Sequence, residues 1–407
     1  MFEIIFSQRV TIERHRSGPY ANERERYLRH CAAVGCTANS QRTAAVATLR
    51  VAHQLTPTDT GGINAERLRI LVERCTEGAG PKAGESLTKL TRPWLKFLGW
   101  WRKSTTPPLA FAAELDQFVC WMRDERGLTP CTVEQWRDRT AVFLRWCEQR
   151  GLALTTLAPE DIDAYFVSYG ASRWSRISAS HIAKMLRVFM RHAARQGSCS
   201  ARLAESIVSP RLYRLETLPY ALDWTDVRRL IDGAAGDTEL DIRDRAILLL
   251  LAVYGLRRGE VAALRLDCVD HERHQLHIWR LKRRQPQVYP LVPSVAEALR
   301  RYIDCVRPAA AHHQVFITAH APRSPISATG IHGIVNRRLR ELQVQAAHLG
   351  PHALRHACAS KMLAEGLTLK DIGDHLGHRS ASSTSIYTKV DLAGLRAVGE
   401  LDLGDLQ

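Results

Sequence analysis

Apolar residues recur at spacings of three and four along most of this chain, the pattern of helices with one buried face. In "FAAELDQFVCWMRDERG" the stripe is Phe111, Leu115, Phe118 and Met122. "TPCTVEQWRDRTAVFLRWCEQRG" opens on a Thr-Pro turn, takes Thr132 as its cap and continues with a helical period. "SASHIAKMLRVFMRHAARQG" repeats the pattern and ends at Gly197, a helix stop. Nearer the start, "NERERYLRHCAAVG" and "NAERLRILVERC" read as helices separated by the loop "TPTDTGG". The run "AILLLLAVYG" at 246–255 is apolar on every side, which predicts a buried helix, and it is too short to span a bilayer. One stretch breaks the helical rule. "HQLHIWRLKRRQPQVYPLVP" (274–293) has two extended segments around a basic turn and predicts a β-hairpin.

Breakers divide the chain. Residues 1–105 form a helical N-terminal region that ends in "RPWLKFLGWWRK" and "STTPP". Residues 109–208 form an all-α domain with arginines on its polar faces, and the Pro-bounded connector 209–224 follows. Residues 225–390 mix helices with the hairpin. The tail 391–407 carries Leu392, Leu395, Val398, Leu401 and Leu403 at near-helical spacing. The expected fold class is mainly α with a small β-hairpin or sheet: an all-α domain and a mixed α+β domain, preceded by an extra helical region. No repeat of 20 to 50 residues is present, so a solenoid is set aside.

Composition changes the picture through charge. A net charge of +15 and a pI near 9.6 favour a polyanionic partner, nucleic acid first and anionic membrane second. Only nine of the 57 basic residues are lysine, so arginine forks suited to phosphate carry the charge. A GC-rich genome would produce the same bias. The ten cysteines form no CxxC pair and "MFEIIFSQRV" does not look like a secretory leader, so the expected setting is a reducing cytoplasm, without a membrane.

Four stretches hold candidate chemistry. In "YGLRRGEVAALRL", Arg257 and Glu260 fall on one helical face, an arrangement shared by many surface salt bridges. Lys282 lies inside the arginine-rich hairpin turn. Lysine can release a proton to a leaving group where arginine in practice cannot, although a solvated loop lysine reads the same way. In "PHALRHACASKMLAEG", Pro351 starts a helix on which His352 and Arg355 can address one ligand. His356 adds an i,i+4 histidine pair, open to a metal reading with His375 and His378, but the Glu of HExxH is missing. Last, "GHRSASSTSIYTKV" sets Tyr387 nine residues after His378, across a polar run that reads as a loop or short helix.

The ordered set Arg257, Lys282, His352-x-x-Arg355, His378, Tyr387 resembles the tyrosine recombinase (phage integrase) family. The phrases "GLRRGE", "HALRHACASKMLAEG", "LGH" and "SIYTKV" are similar to its two arginine boxes and its nucleophile segment. The resemblance covers about residues 109–390 and makes 109–208 the core-binding domain and 225–390 the catalytic domain. It implies Tyr387 as nucleophile, Arg257 and Arg355 on the phosphate oxygens, and His352 aiding the tyrosine. It further implies His378 hydrogen-bonding the phosphate, Lys282 protonating the 5′ oxygen, and Glu260 supporting the site. It implies double-stranded DNA as partner, a homotetramer on paired sites, a 3′-phosphotyrosyl intermediate, and no cofactor or metal. Accessory recombinases are further candidate partners, and a transposon or genomic island is the expected context. The tail would pack on a neighbouring protomer or cap its own domain. Residues 1–105 would serve as an arm-site module, a dimerisation element or an extension of the DNA clamp. Two rivals remain: a non-cleaving DNA-binding regulator on the same scaffold, and a zinc hydrolase using the four histidines. A type IB topoisomerase shares the chemistry but not this domain order.

Overall fold

The computed structural model describes residues 1–102, 109–212, 222–344, 350–378, 380 and 383–385. Tyr387 and the tail 391–407 therefore lie outside the described residues. Two compact units are present, Met1–Trp101 together with Thr217–Gln407, and Arg102–Glu216.

The N-terminal region is helical, as its periodicity predicts. Helices Ala21–Ala33, Ala38–Ala52, Ala65–Cys75 and Pro81–Phe97 enclose a core that includes Leu28, Val51, Leu71 and Trp94. The "TPTDTGG" loop is a short 3-10 turn, Pro57–Gly61, held where Asp59 accepts the Thr56 amide at 2.8 Å. His15 is fully buried between the rings of Phe2 and Phe6. Arg24, also buried, donates to the carbonyls of His15 at 2.6 Å and Pro19 at 2.9 Å, so its charge is met by backbone oxygen.

The second unit is all-α. Phe111, Leu115, Phe118 and Met122 face one core together with Phe143, Leu186 and Phe189. The cap of helix Pro130–Gln149 differs from the sequence reading. Thr129, not Thr132, is the N-cap, and its hydroxyl accepts the Thr132 amide at 3.4 Å while Pro130 takes the first helical position. The Thr-Pro dipeptide decides this, because the residue before proline is held extended, as an N-cap must be.

The third core surrounds helix Glu239–Val253. Ala246, Ile247, Leu248, Leu250 and Leu251 have no exposure, because neighbouring helices cover it on all sides. Each of these leucine and isoleucine side chains contributes about 1.5–3 kcal/mol on burial. Against this helix pack Pro351–Ala364 and Pro293–Arg301. The hairpin is present: β2 (Gln275–Arg280) and β3 (Gln285–Pro290) pair antiparallel around residues 281–284, and a two-residue β1 (Val269–Asp270) adds an edge. Alternation sends Leu276, Ile278 and Arg280 inward and leaves Trp279 exposed. Among the described residues no helix is long and apolar enough to cross a membrane.

Candidate active site

Two left-handed glycines build the floor of the site. Gly255 (φ 57°) ends the segment after the buried helix, and a Cβ there would sit 2.4 Å from Leu376. Gly377 (φ 64°) closes helix Leu369–Leu376, and a Cβ there would meet Arg280 at 2.8 Å. Only glycine fits either position. Both turns aim carbonyls at arginines. Arg355, buried on helix Pro351–Ala364, donates from Nη1 to Gly255 O at 2.5 Å and from Nη2 to Leu376 O at 2.7 Å. Arg257 Nη2 approaches Gly377 O at 3.3 Å.

Glu260 organises the other side. Arg257 is the N-cap of helix Arg258–Ala263, and its amide donates to Glu260 Oε2 at 2.8 Å while its Nη1 donates to Oε1 at 2.9 Å. The Glu260 side chain is fully buried, so this pair is no surface salt bridge. A second guanidinium, Arg280, donates to Glu260 Oε2 at 2.7 Å from a position 1% exposed. The sequence reading missed Arg280. Its signal was there: in "LHIWR" it shares inward parity with Leu276 and Ile278, and a charged residue at a buried position needs a partner. Burial, opposed by Glu260, lowers the Arg280 pKa.

The hairpin turn carries Lys282, which is exposed and, among the described residues, makes no hydrogen bond or ion pair. Its charge nevertheless reaches His352. The His352 pKa is lowered by burial first and then by Arg355, Arg257 and Lys282. His352 as a residue is exposed to solvent, so the three cations are the firmer cause. His378 is lowered to about 4, by burial and then by Arg355, Arg257 and Arg280. Its Nδ1 lies 2.8 Å from the hydroxyl of Thr384, a buried residue that the sequence reading also passed over. Two imidazoles on different segments thus sense the same arginines. Arg257 and Arg355 act on both His352 and His378, Lys282 acts on His352, and Glu260 holds Arg257. Such a cluster of cations with neutral imidazoles suits an oxyanion that gains charge during reaction.

The four-histidine reading fails on geometry. The rings of His352 and His356 are 4.4 Å apart, but His375 turns to the edge of Tyr289 at 5.2 Å. Among the described residues no three His, Cys, Asp or Glu side chains come together as metal ligands.

The depressed histidines give a pH prediction. His356 and His378 titrate near 4 in the folded chain against an ordinary 6.5, and His15 does the same in the N-terminal core. The unfolded chain then binds more protons between those values. The stability these groups contribute is complete above 6.5 and is lost as pH falls toward 4. The urea midpoint should be lower at pH about 5 than at pH about 7, and a His378→Asn variant should show a shallower decline. An equal slope in that variant would remove His378 from the account.

The chain is similar to known integrases and recombinases. Residues 221–393 match the model described as "Phage integrase family", and residues 115–197 match "Phage integrase, N-terminal SAM-like domain". A Sinorhizobium fredii protein that carries the name integrase/recombinase y4rF is 35% identical over 292 residues, 70% of this chain and 68% of that one. The tyrosine recombinase XerC of Azotobacter vinelandii is 30% identical over 292 residues, 70% of this chain and 94% of XerC. Among solved structures, the Tn1549 transposon integrase in complex with a circular intermediate DNA has the same fold. Its TM-score is 0.54 at 16% identity, over 70% of this chain and 98% of that one.

Proposed function

Since the chain belongs to the phage integrase family, the tyrosine recombinases, we propose that it cuts and rejoins duplex DNA at specific sites through Tyr387. The single observation that supports this reading most is the convergence of Arg257, Arg355, Lys282, His352 and His378 above a buried Glu260. A phosphodiester repels an incoming oxygen, and two guanidinium forks on the non-bridging oxygens offset that repulsion. His352, held neutral, takes the phenolic proton as the Tyr387 oxygen bonds to phosphorus. The bond from phosphorus to the 5′ oxygen breaks, Lys282 protonates that oxygen, and His378 hydrogen-bonds the phosphate. Glu260 holds Arg257 in place and does not react. The phosphotyrosyl bond conserves the energy of the bond broken, so rejoining requires no nucleotide hydrolysis.

DNA is the partner in this reading, and the net charge of +15 supplies phosphate contacts beyond the site. A homotetramer on two paired sites would exchange strands in two steps. Carriage by a mobile element is the context we favour, supported by a transposon integrase among the structures of the same fold.

The test is a nicked duplex taken from the gene's own flanks, incubated with protein in EDTA and resolved under denaturing conditions. The expected result is a covalent protein–DNA band of undiminished yield. Strand cleavage that needs added metal and leaves no covalent band would favour metal-assisted hydrolysis. Site-specific binding with no band under any condition would favour the non-cleaving regulator.

A further inference from the structure

The hairpin turn that carries Lys282 has one deep anchor, and it is Arg280. Its backbone carbonyl accepts the amides of Arg283 at 3.0 Å and Arg284 at 2.7 Å, which closes the turn around Lys282. Its side chain runs the other way, into the core. There Nη1 meets Glu260 Oε2 at 2.7 Å, Nε meets Gln287 Oε1 at 2.7 Å, and Nη2 meets His375 O at 2.6 Å and the Tyr289 hydroxyl. Gln287 continues the tie, donating to Asp374 O at 2.9 Å. Gly377 keeps the space open, since a Cβ there would strike Arg280 Nε. One residue thus joins the root of the turn, the carboxylate that holds Arg257, and the helix end that leads to His378.

We propose that Arg280 is a positioning residue for Lys282: clamped between Glu260 and the His375 carbonyl, it fixes the hairpin turn so that Lys282 reaches the departing 5′ oxygen. The inference rests on the reading of Lys282 as the proton donor. A flexible lysine on an exposed turn gains its direction from the backbone beneath it, and a displacement of about 1 Å at a proton donor costs about 100-fold in rate. Arginine suits this place because its planar fork can satisfy four acceptors at once, one of them the Glu260 carboxylate that it shares with Arg257.

The experiment compares Arg280→Met and Lys282→Ala with the wild type in single-turnover cleavage of two nicked duplexes. One has the ordinary 5′ oxygen at the scissile bond, and the other has sulfur in that bridging position. When the phosphorus–sulfur bond breaks, the thiolate leaves without a proton, so a missing or misplaced donor no longer matters. Both variants should be slower by about 100-fold on the oxygen substrate. On the sulfur substrate both should return to within about threefold of wild type. If Arg280→Met is equally slow on both while Lys282→Ala recovers, Arg280 serves the fold or the phosphate, and the proposal is overturned. If Lys282→Ala fails to recover, Lys282 is not the donor, and the proposal falls with that assignment. Wild-type protein that forms no adduct on either substrate would instead sink the recombinase reading. Gln287→Leu removes only one anchor and keeps the buried ion pair, so it guards against misfolding of Arg280→Met. It should show the same preference for sulfur at about tenfold, and its absence in this folded variant would also overturn the proposal.

Discussion

Replacing Tyr387 with phenylalanine is expected to abolish the covalent protein–DNA adduct while duplex binding stays within about tenfold of wild type, the most that one lost hydrogen bond removes. Phenylalanine keeps the ring and loses the only atom that can bond to phosphorus. The cation cluster of Arg257 and Arg355 is untouched by the change, so the phosphate should still bind and be polarised. A gel-shift titration and a denaturing gel on the same nicked duplex read the two quantities separately. Adduct formed by Tyr387→Phe would transfer the nucleophile role to another residue.

The second large effect is expected at Arg355. Substitution by lysine should slow single-turnover cleavage by about a thousandfold, because a single ammonium cannot hold two backbone carbonyls and also present a fork to phosphate. Substitution by alanine should do this and destabilise the chain as well. The carbonyls of Gly255 and Leu376 would then be buried without their guanidinium donors, each at a cost of about 1–3 kcal/mol. Cleavage rates and thermal midpoints for the two variants separate these contributions. An Arg355→Lys protein within tenfold of wild-type rate would refute the clamp assigned to Arg355.

Much of this site was legible along the chain because its chemistry is local. Arg257 and Glu260 are three residues apart, as are His352 and Arg355, and the structure finds the first pair joined by two hydrogen bonds. The hairpin announced itself by alternation, and Lys282 by being a lysine among arginines. Arg280 and Thr384 were passed over for a physical reason. Each acts on a partner brought to it by folding, or on a ring whose orientation no spacing records. The cap at Thr129 rather than Thr132 shows the same limit on a smaller scale, where proline geometry outweighed the start of the apolar pattern.

The sequence alone thus determined the helical periods, the hairpin, the arginine-borne charge and the order of the reactive side chains, all set by neighbours within a few residues. Tertiary structure alone decided how those side chains are held. The Arg355 to Gly255 bond spans 100 residues, that from Arg257 to Gly377 spans 120, and that from Arg280 to His375 spans 95. Whether a carboxylate such as Glu260 is a solvated surface charge or a fully buried support depends on what packs over it. That depends on the whole core, whereas periodicity reports only which way a residue points.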